Sequence, residues 1–96
     1  MIVSWHPEAE AELNQTIAYY EARQLGLGLE FSEEVYAAVD RILEYPEAWT
    51  TIRPNTRRAL LNRFPFAVIY QIKSNLLNIL AVADLRRLPE YWKGRT

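Results

Sequence analysis

The period of the apolar residues changes once along this chain, and that change restricts the folds open to it. Ala9, Leu13, Ile17 and Tyr20 fall at i, i+4, i+8 and i+11, one stripe of a helix with charged and polar residues between its members. Pro7 suits the first helical position, and Glu8, Glu10 and Glu12 stand where the helix dipole favours negative charge. The spacing predicts a helix over 7–23, broken by Gln24-Leu25-Gly26-Leu27-Gly28. A second stripe, Phe31, Val35, Ala38, Val39, Ile42 and Leu43, stops before Pro46. Two helices joined by about five residues make an antiparallel hairpin. Past residue 56 the period falls to 2, with Phe66, Val68, Tyr70 and Ile72 alternating against Ala67, Ile69 and Gln71.

Around that switch the remaining elements take their places. Ile2-Val3-Ser4-Trp5 is a short strand closed by His6-Pro7, and residues 47–56, with Pro54 and Asn55, read as a loop. Strands are expected over 58–63, 66–72 and 76–83, the last two joined by a turn at Lys73-Ser74-Asn75. The nearly unbroken apolarity of 76–83 suits a central strand covered on both faces. Pro89 can open a final helical turn through Tyr91, Trp92 and Lys93. The order β-α-α-β-β-β implies an α+β fold, an N-terminal strand and helical hairpin packed on a mainly antiparallel sheet, one domain spanning 1–96.

Composition narrows the chemistry. There is no cysteine, which removes thiol nucleophiles, thiolate metal sites and disulfides. His6, the one histidine, stands at a helix start and reads as a cap, so neither a metal centre nor a Ser-His-Asp site is expected, and no cofactor. The first residues run directly into acidic ones without a basic start or long apolar stretch. A cytoplasmic, membrane-free protein is the expectation.

Net charge is −1, but the signs separate at Ile52. Residues 1–52 hold two arginines against ten carboxylates, a balance of −8; residues 53–96 hold nine cations against Asp84 and Glu90, a balance of +7. Seven of those nine cations are arginine, the side chain suited to bidentate contact with phosphate or carboxylate, and this favours a cationic surface over simple mutual neutralisation. Arg86 and Arg87 after the last strand, with Arg58 and Arg63 from an earlier one, would form a phosphate-sized site if their strands neighbour each other. Tyr91 would serve as general acid or base if flanking arginines lowered its pKa, although a terminal Tyr91-Trp92 pair more often anchors the chain end. Tyr70 alternates with core residues and reads as structural.

As a whole the chain resembles the RelE/ParE superfamily of toxins from bacterial type II toxin-antitoxin systems, also described as plasmid stabilisation proteins. The resemblance runs through Pro7-Glu8-Ala9, Leu43-Glu44-Tyr45-Pro46, the segment from Arg57 to Phe66, Val68-Ile69-Tyr70, and the ending from Ile79 to Trp92. It implies the α+β architecture, growth inhibition, and a cognate antitoxin whose flexible segment wraps the toxin in a hetero-oligomer. Many relatives carry a histidine in a His-x-x-Arg or His-x-Arg-Arg element after the last strand; here Asp84 stands in its place, while Arg86 and Arg87 match. The RelE branch cleaves messenger RNA on the ribosome without a metal, and by that analogy Arg58, Arg63, Arg86 and Tyr91 would be catalytic. The ParE branch binds DNA gyrase instead. A carboxylate beside a phosphate adds repulsion, so Asp84 points to the ParE branch. Target or antitoxin binding is then expected at Arg58, Arg63, Asp84, Arg86, Arg87, Tyr91 and Trp92. A ribonuclease, or a non-toxic remnant that keeps antitoxin binding, is the alternative.

Overall fold

His6 begins the first helix as expected. Its Nδ1 accepts a hydrogen bond from the Glu8 amide at 3.1 Å, and Pro7 occupies the first turn. The computed structural model describes residues 1–95 and runs β1 (Ile2–Trp5), α1 (Pro7–Arg23), α2 (Leu27–Glu44), β2 (Thr50–Arg53), β3 (Thr56–Leu60), β4 (Phe66–Lys73) and β5 (Leu76–Asp84). The helices pack closely where α2 begins: a Cβ on Gly28 would lie 2.5 Å from the Ile17 carbonyl oxygen, so only glycine fits. The Glu21 carboxylate accepts from the amides of Gly26 and Gly28 at 2.9 and 3.0 Å, satisfying donors that a helix start leaves free.

The five strands lie in the order β1-β5-β4-β3-β2, with β1 parallel to β5 and every other pair antiparallel. The chain is therefore α+β as expected, with one strand more than the sequence reading. Residues 47–56 are not all loop: Thr50–Arg53 pairs with β3 across a tight turn in which Asn55 has φ 61°. The next strand ends at Leu60, so Arg63 belongs to the connection into β4. The final helical turn from Pro89 is instead a succession of turns, with Glu90 at φ 62° interrupting any helix.

Alternation along the sheet builds two apolar layers. Phe66, Val68 and Tyr70 face the helices, where Tyr20, Phe31, Phe64 and Phe66 stack with ring centroids 4.9–6.2 Å apart. Ala67, Ile69, Leu80, Ala81 and Ala83 face the other way and are covered by the chain end, chiefly Trp92, which is 5% exposed. Burying a side chain of that size contributes about 3 kcal/mol. Strand β5 thus lies inside the sheet with apolar layers on both faces, as its composition implied. Its pairing with β4 shifts between Ile69 and Tyr70, which face Ala81 and Ile79, leaving Leu80 as the extra residue of a β-bulge. No helix among the described residues is long and apolar enough to cross a membrane.

Candidate functional site

The early end of β1 creates the need that organises this end of the molecule. β1 stops pairing at Trp5 opposite Ile79, so the edge of β5 beyond it has backbone groups to satisfy. Glu12, projecting from α1, does this with one carboxylate: Oε1 accepts from the Val82 amide at 3.0 Å and from Arg95 Nη1 at 2.9 Å, and Oε2 accepts from the Tyr91 hydroxyl at 2.8 Å. Arg95 Nη1 also donates to the Leu80 carbonyl at 3.1 Å. The side chains of Glu12 and Arg95 are only 13% and 12% exposed. One buried carboxylate therefore joins α1, the bulged strand and the chain end, and holds Tyr91 and Trp92 over the sheet.

The four arginines singled out from the sequence do not converge as a set: of them only Arg58 and Arg87 line a common cleft. β4 lies between β3 and β5, which separates Arg58 from Arg86 and Arg87 by a strand. Arg63 is drawn toward α2, its guanidinium 2.6 Å from Glu30 and its amide bonded to Glu34. Arg86 folds back on Asp84 in a two-point contact, Nε to Oδ1 and Nη2 to Oδ2, both 2.9 Å. Arg53 pairs with Glu90 at 2.6 Å, and Arg95 with Glu12. Mutual neutralisation thus accounts for much of the cationic half. Arg58 and Arg87 have no carboxylate partner among the described residues, and they share a cleft of about 330 Å³ whose walls include Ile52, Ile69, Leu88, Tyr91 and Trp92. The Arg87 guanidinium lies 3.9 Å from the centre of the Tyr91 ring. A second groove, about 320 Å³, runs on the helix side of Tyr91 between α1 and the Asp84–Arg86 pair. A larger cavity, about 450 Å³, opens at the other end of the sheet beside Arg57, whose Nη1 is already taken by the carbonyls of Glu47 and Trp49.

The titration behaviour of this end is set by burial and by the carboxylates of Glu12 and Asp84. Burial, then the hydrogen bond to Glu12 and its negative charge, raise the Tyr91 pKa, and Arg87 and Arg95 offset this only in part. The arginine-lowered tyrosine expected from the sequence is thus reversed, because the hydroxyl is buried and donates to a carboxylate. The Arg86 contact holds Asp84 below the usual carboxylate range, so the pair is ionised at neutral pH. Tyr70 is fully buried, donates to the Pro46 carbonyl at 2.8 Å and is pushed by burial up to about 12, a structural residue as expected. Trp92 is packed into the apolar layer and has no face free for stacking on a base.

Against this geometry stands the comparison with known proteins. Residues 3–92 match the family model described as ParE toxin of type II toxin-antitoxin system, parDE. The chain belongs to the ParE toxin family. The fold agrees: a solved structure described as the chromosomal ParDE TA system from P. aeruginosa superposes with a TM-score of 0.74 at 20% identity, covering 88% of this chain and 96% of that one. A search among curated proteins finds no match. Within this ParE-family chain, Glu12, Arg95 and Ile52 belong to the candidate site although sequence reasoning passed over them. In the sequence Glu12 is one of three carboxylates favoured by the helix dipole, and its partners lie 70 and more residues away. The one available signal for Ile52 was the β-branched run Thr50-Thr51-Ile52.

Proposed function

We propose that this ParE-family toxin arrests growth by binding a cellular protein, DNA gyrase, and that a cognate antitoxin neutralises it by covering its surface. The observation that carries the reading is the state of the groups a ribonuclease would need. The Tyr91 hydroxyl keeps its proton and donates it in a hydrogen bond to Glu12, Arg86 is occupied by Asp84, and Arg63 is turned away to Glu30. A metal-free nuclease needs a proton-transfer group beside uncommitted cations at the scissile phosphate. Here the two arginines without a carboxylate partner among the described residues, Arg58 and Arg87, share their cleft with a tyrosine whose pKa is raised and with two carboxylates, Asp84 and Glu90, already paired to other arginines. Such a surface can bind but is poorly equipped to cleave. Family membership and the ParDE-like fold favour both an antitoxin partner and the gyrase target that the ParE resemblance implies.

The test is induced expression in a bacterial host lacking the antitoxin, following growth, messenger RNA integrity and plasmid supercoiling together. Arrest with intact RNA and altered supercoiling is expected. Arrest with cut RNA would move the protein to the ribonuclease branch, and normal growth with well-folded protein would identify a remnant.

A further inference from the structure

The cavity of about 450 Å³ at the far end of the sheet has no part in the site described above. It lies on the helix side, past the end of α2, with Pro46 and Glu47 as one wall and Arg57 of β3, Tyr70 and Ile72 of β4, and Met1 completing it. Arg57 is the only cationic side chain lining it and has no carboxylate partner among the described residues. Its Nη1 donates to the Trp49 carbonyl at 2.7 Å and to the Glu47 carbonyl at 3.0 Å, which fixes the plane of the guanidinium. Both bonds fall on one nitrogen. Nε and Nη2 make no hydrogen bond among the described residues and stay in contact with solvent. Those two nitrogens form the side-on edge of the guanidinium, the edge with which Arg86 grips Asp84, Nε to Oδ1 and Nη2 to Oδ2, both at 2.9 Å. Arg57 thus presents, already oriented, one half of a two-point contact whose other half is a carboxylate.

We propose that this cavity binds a small monocarboxylic acid with an apolar body, its carboxylate on Nε and Nη2 of Arg57 and its carbon skeleton against Ile72 and Met1. The site is independent of the target and antitoxin readings above. The charges in its walls select a single negative charge on the ligand. One arginine stands with one glutamate, Glu47, whose carboxylate has no ion-pair partner among the described residues and repels a phosphate dianion more than a carboxylate. The floor selects an apolar body. Ile72 packs against the helix-side core, and the Tyr70 hydroxyl is already committed to the Pro46 carbonyl, which leaves its ring as the contact surface. Thr51 pairs with Arg57 across the β2–β3 ladder, so its exposed side chain sets a hydroxyl on the same face as the guanidinium. The volume is in the range of small-molecule pockets and exceeds the needs of a lone ion.

The experiment titrates the full-length, isotope-labelled chain with hydrocinnamate at neutral pH and follows backbone amide shifts by NMR, with hydrocinnamide and phenyl phosphate as probes of charge. Saturable shifts at Arg57, Tyr70 and Ile72 are expected, with both other probes binding at least about 10-fold more weakly. Arg57→Lys keeps the charge but loses the fork, and should weaken hydrocinnamate binding about 10-fold. Because Arg57 also holds the carbonyls of Glu47 and Trp49, Thr51→Trp is the second variant. It fills the cavity from an exposed position on the edge strand β2, leaves the Arg57 bonds in place and should abolish binding. Circular dichroism checks that both variants fold. No saturable shift at about 10 mM hydrocinnamate, shifts confined to the Arg58–Arg87 cleft, or equal binding by wild type and Thr51→Trp would overturn the assignment. Tighter binding of phenyl phosphate than of hydrocinnamate would overturn the single-charge selection. Tighter binding of N-acetyl-leucyl-phenylalanine would replace the free acid with the end of a peptide.

Discussion

Replacing Glu12 by alanine removes the one carboxylate that serves three donors on two other segments. The Val82 amide, pointing from the bulged strand into a part-buried site, loses its acceptor, which costs about 1–3 kcal/mol. Arg95 is only 12% exposed, and removing the partner of a buried ion would cost about 3–5 kcal/mol. It keeps the Leu80 carbonyl at 3.1 Å and has Glu8 at 3.7 Å, so about 1 kcal/mol is the better figure for this pair. The Tyr91 hydroxyl contributes about 1 kcal/mol more. These contributions share one carboxylate and do not add fully, which puts the expected loss near 3 kcal/mol. Glu12→Gln retains an acceptor oxygen and should lose about half as much. Urea denaturation followed by circular dichroism gives the global figure, and hydrogen exchange locates it: the Val82 amide should exchange about 100-fold faster while amides of β3 change less. A loss below about 1 kcal/mol, or exchange that rises uniformly over the sheet, would refute the view that Glu12 clasps the chain end to the bulge.

Three further outcomes are expected. Gly28→Ala, which helix propensity alone would favour, should instead destabilise the protein by about 1–3 kcal/mol in thermal denaturation, because the new Cβ meets the Ile17 carbonyl oxygen at 2.5 Å and Glu21 Cβ at 2.9 Å. Tyr70→Phe leaves the Pro46 carbonyl without its donor and should cost about 1–2 kcal/mol in urea denaturation, with the fold retained. Asp84, held below its ordinary 3.8 chiefly by the hydrogen bond from Arg86, contributes stability that is present above the unfolded value and lost as pH falls through the folded one. The stability difference between the wild type and Asp84→Asn should therefore be constant near neutrality and shrink below about pH 4, and a difference that grows on acidification would contradict the pairing.

Two helical stripes followed by period-2 alternation placed the hairpin and the core strands, because each of those elements buries one face and exposes the other. Strand β2 was hidden by its four-residue length and by Pro54 and Asn55, which signal a loop but equally suit the tight turn between two short strands. The bulge at Leu80 was illegible for a different reason. Residues 79–83 are apolar on both faces, so a one-residue slip leaves no polar residue out of place to reveal it. The arginines were found by residue type, but their fates depended on strand order and on carboxylates distant in sequence: Glu30 for Arg63, Glu12 for Arg95. Tyr91 shows the same limit, since its flanking arginines are visible in the sequence, whereas its burial and the carboxylate it meets on α1 are set by the fold.

Action by binding is tested most directly by adding the purified chain to purified DNA gyrase in a plasmid supercoiling assay, beside a ribosome-programmed messenger RNA cleavage assay at the same concentrations. Dose-dependent inhibition of supercoiling with uncut messenger RNA is the expected result. Undisturbed gyrase together with cut messenger RNA, lost in Arg86→Ala, would contradict it and return the site to nuclease chemistry.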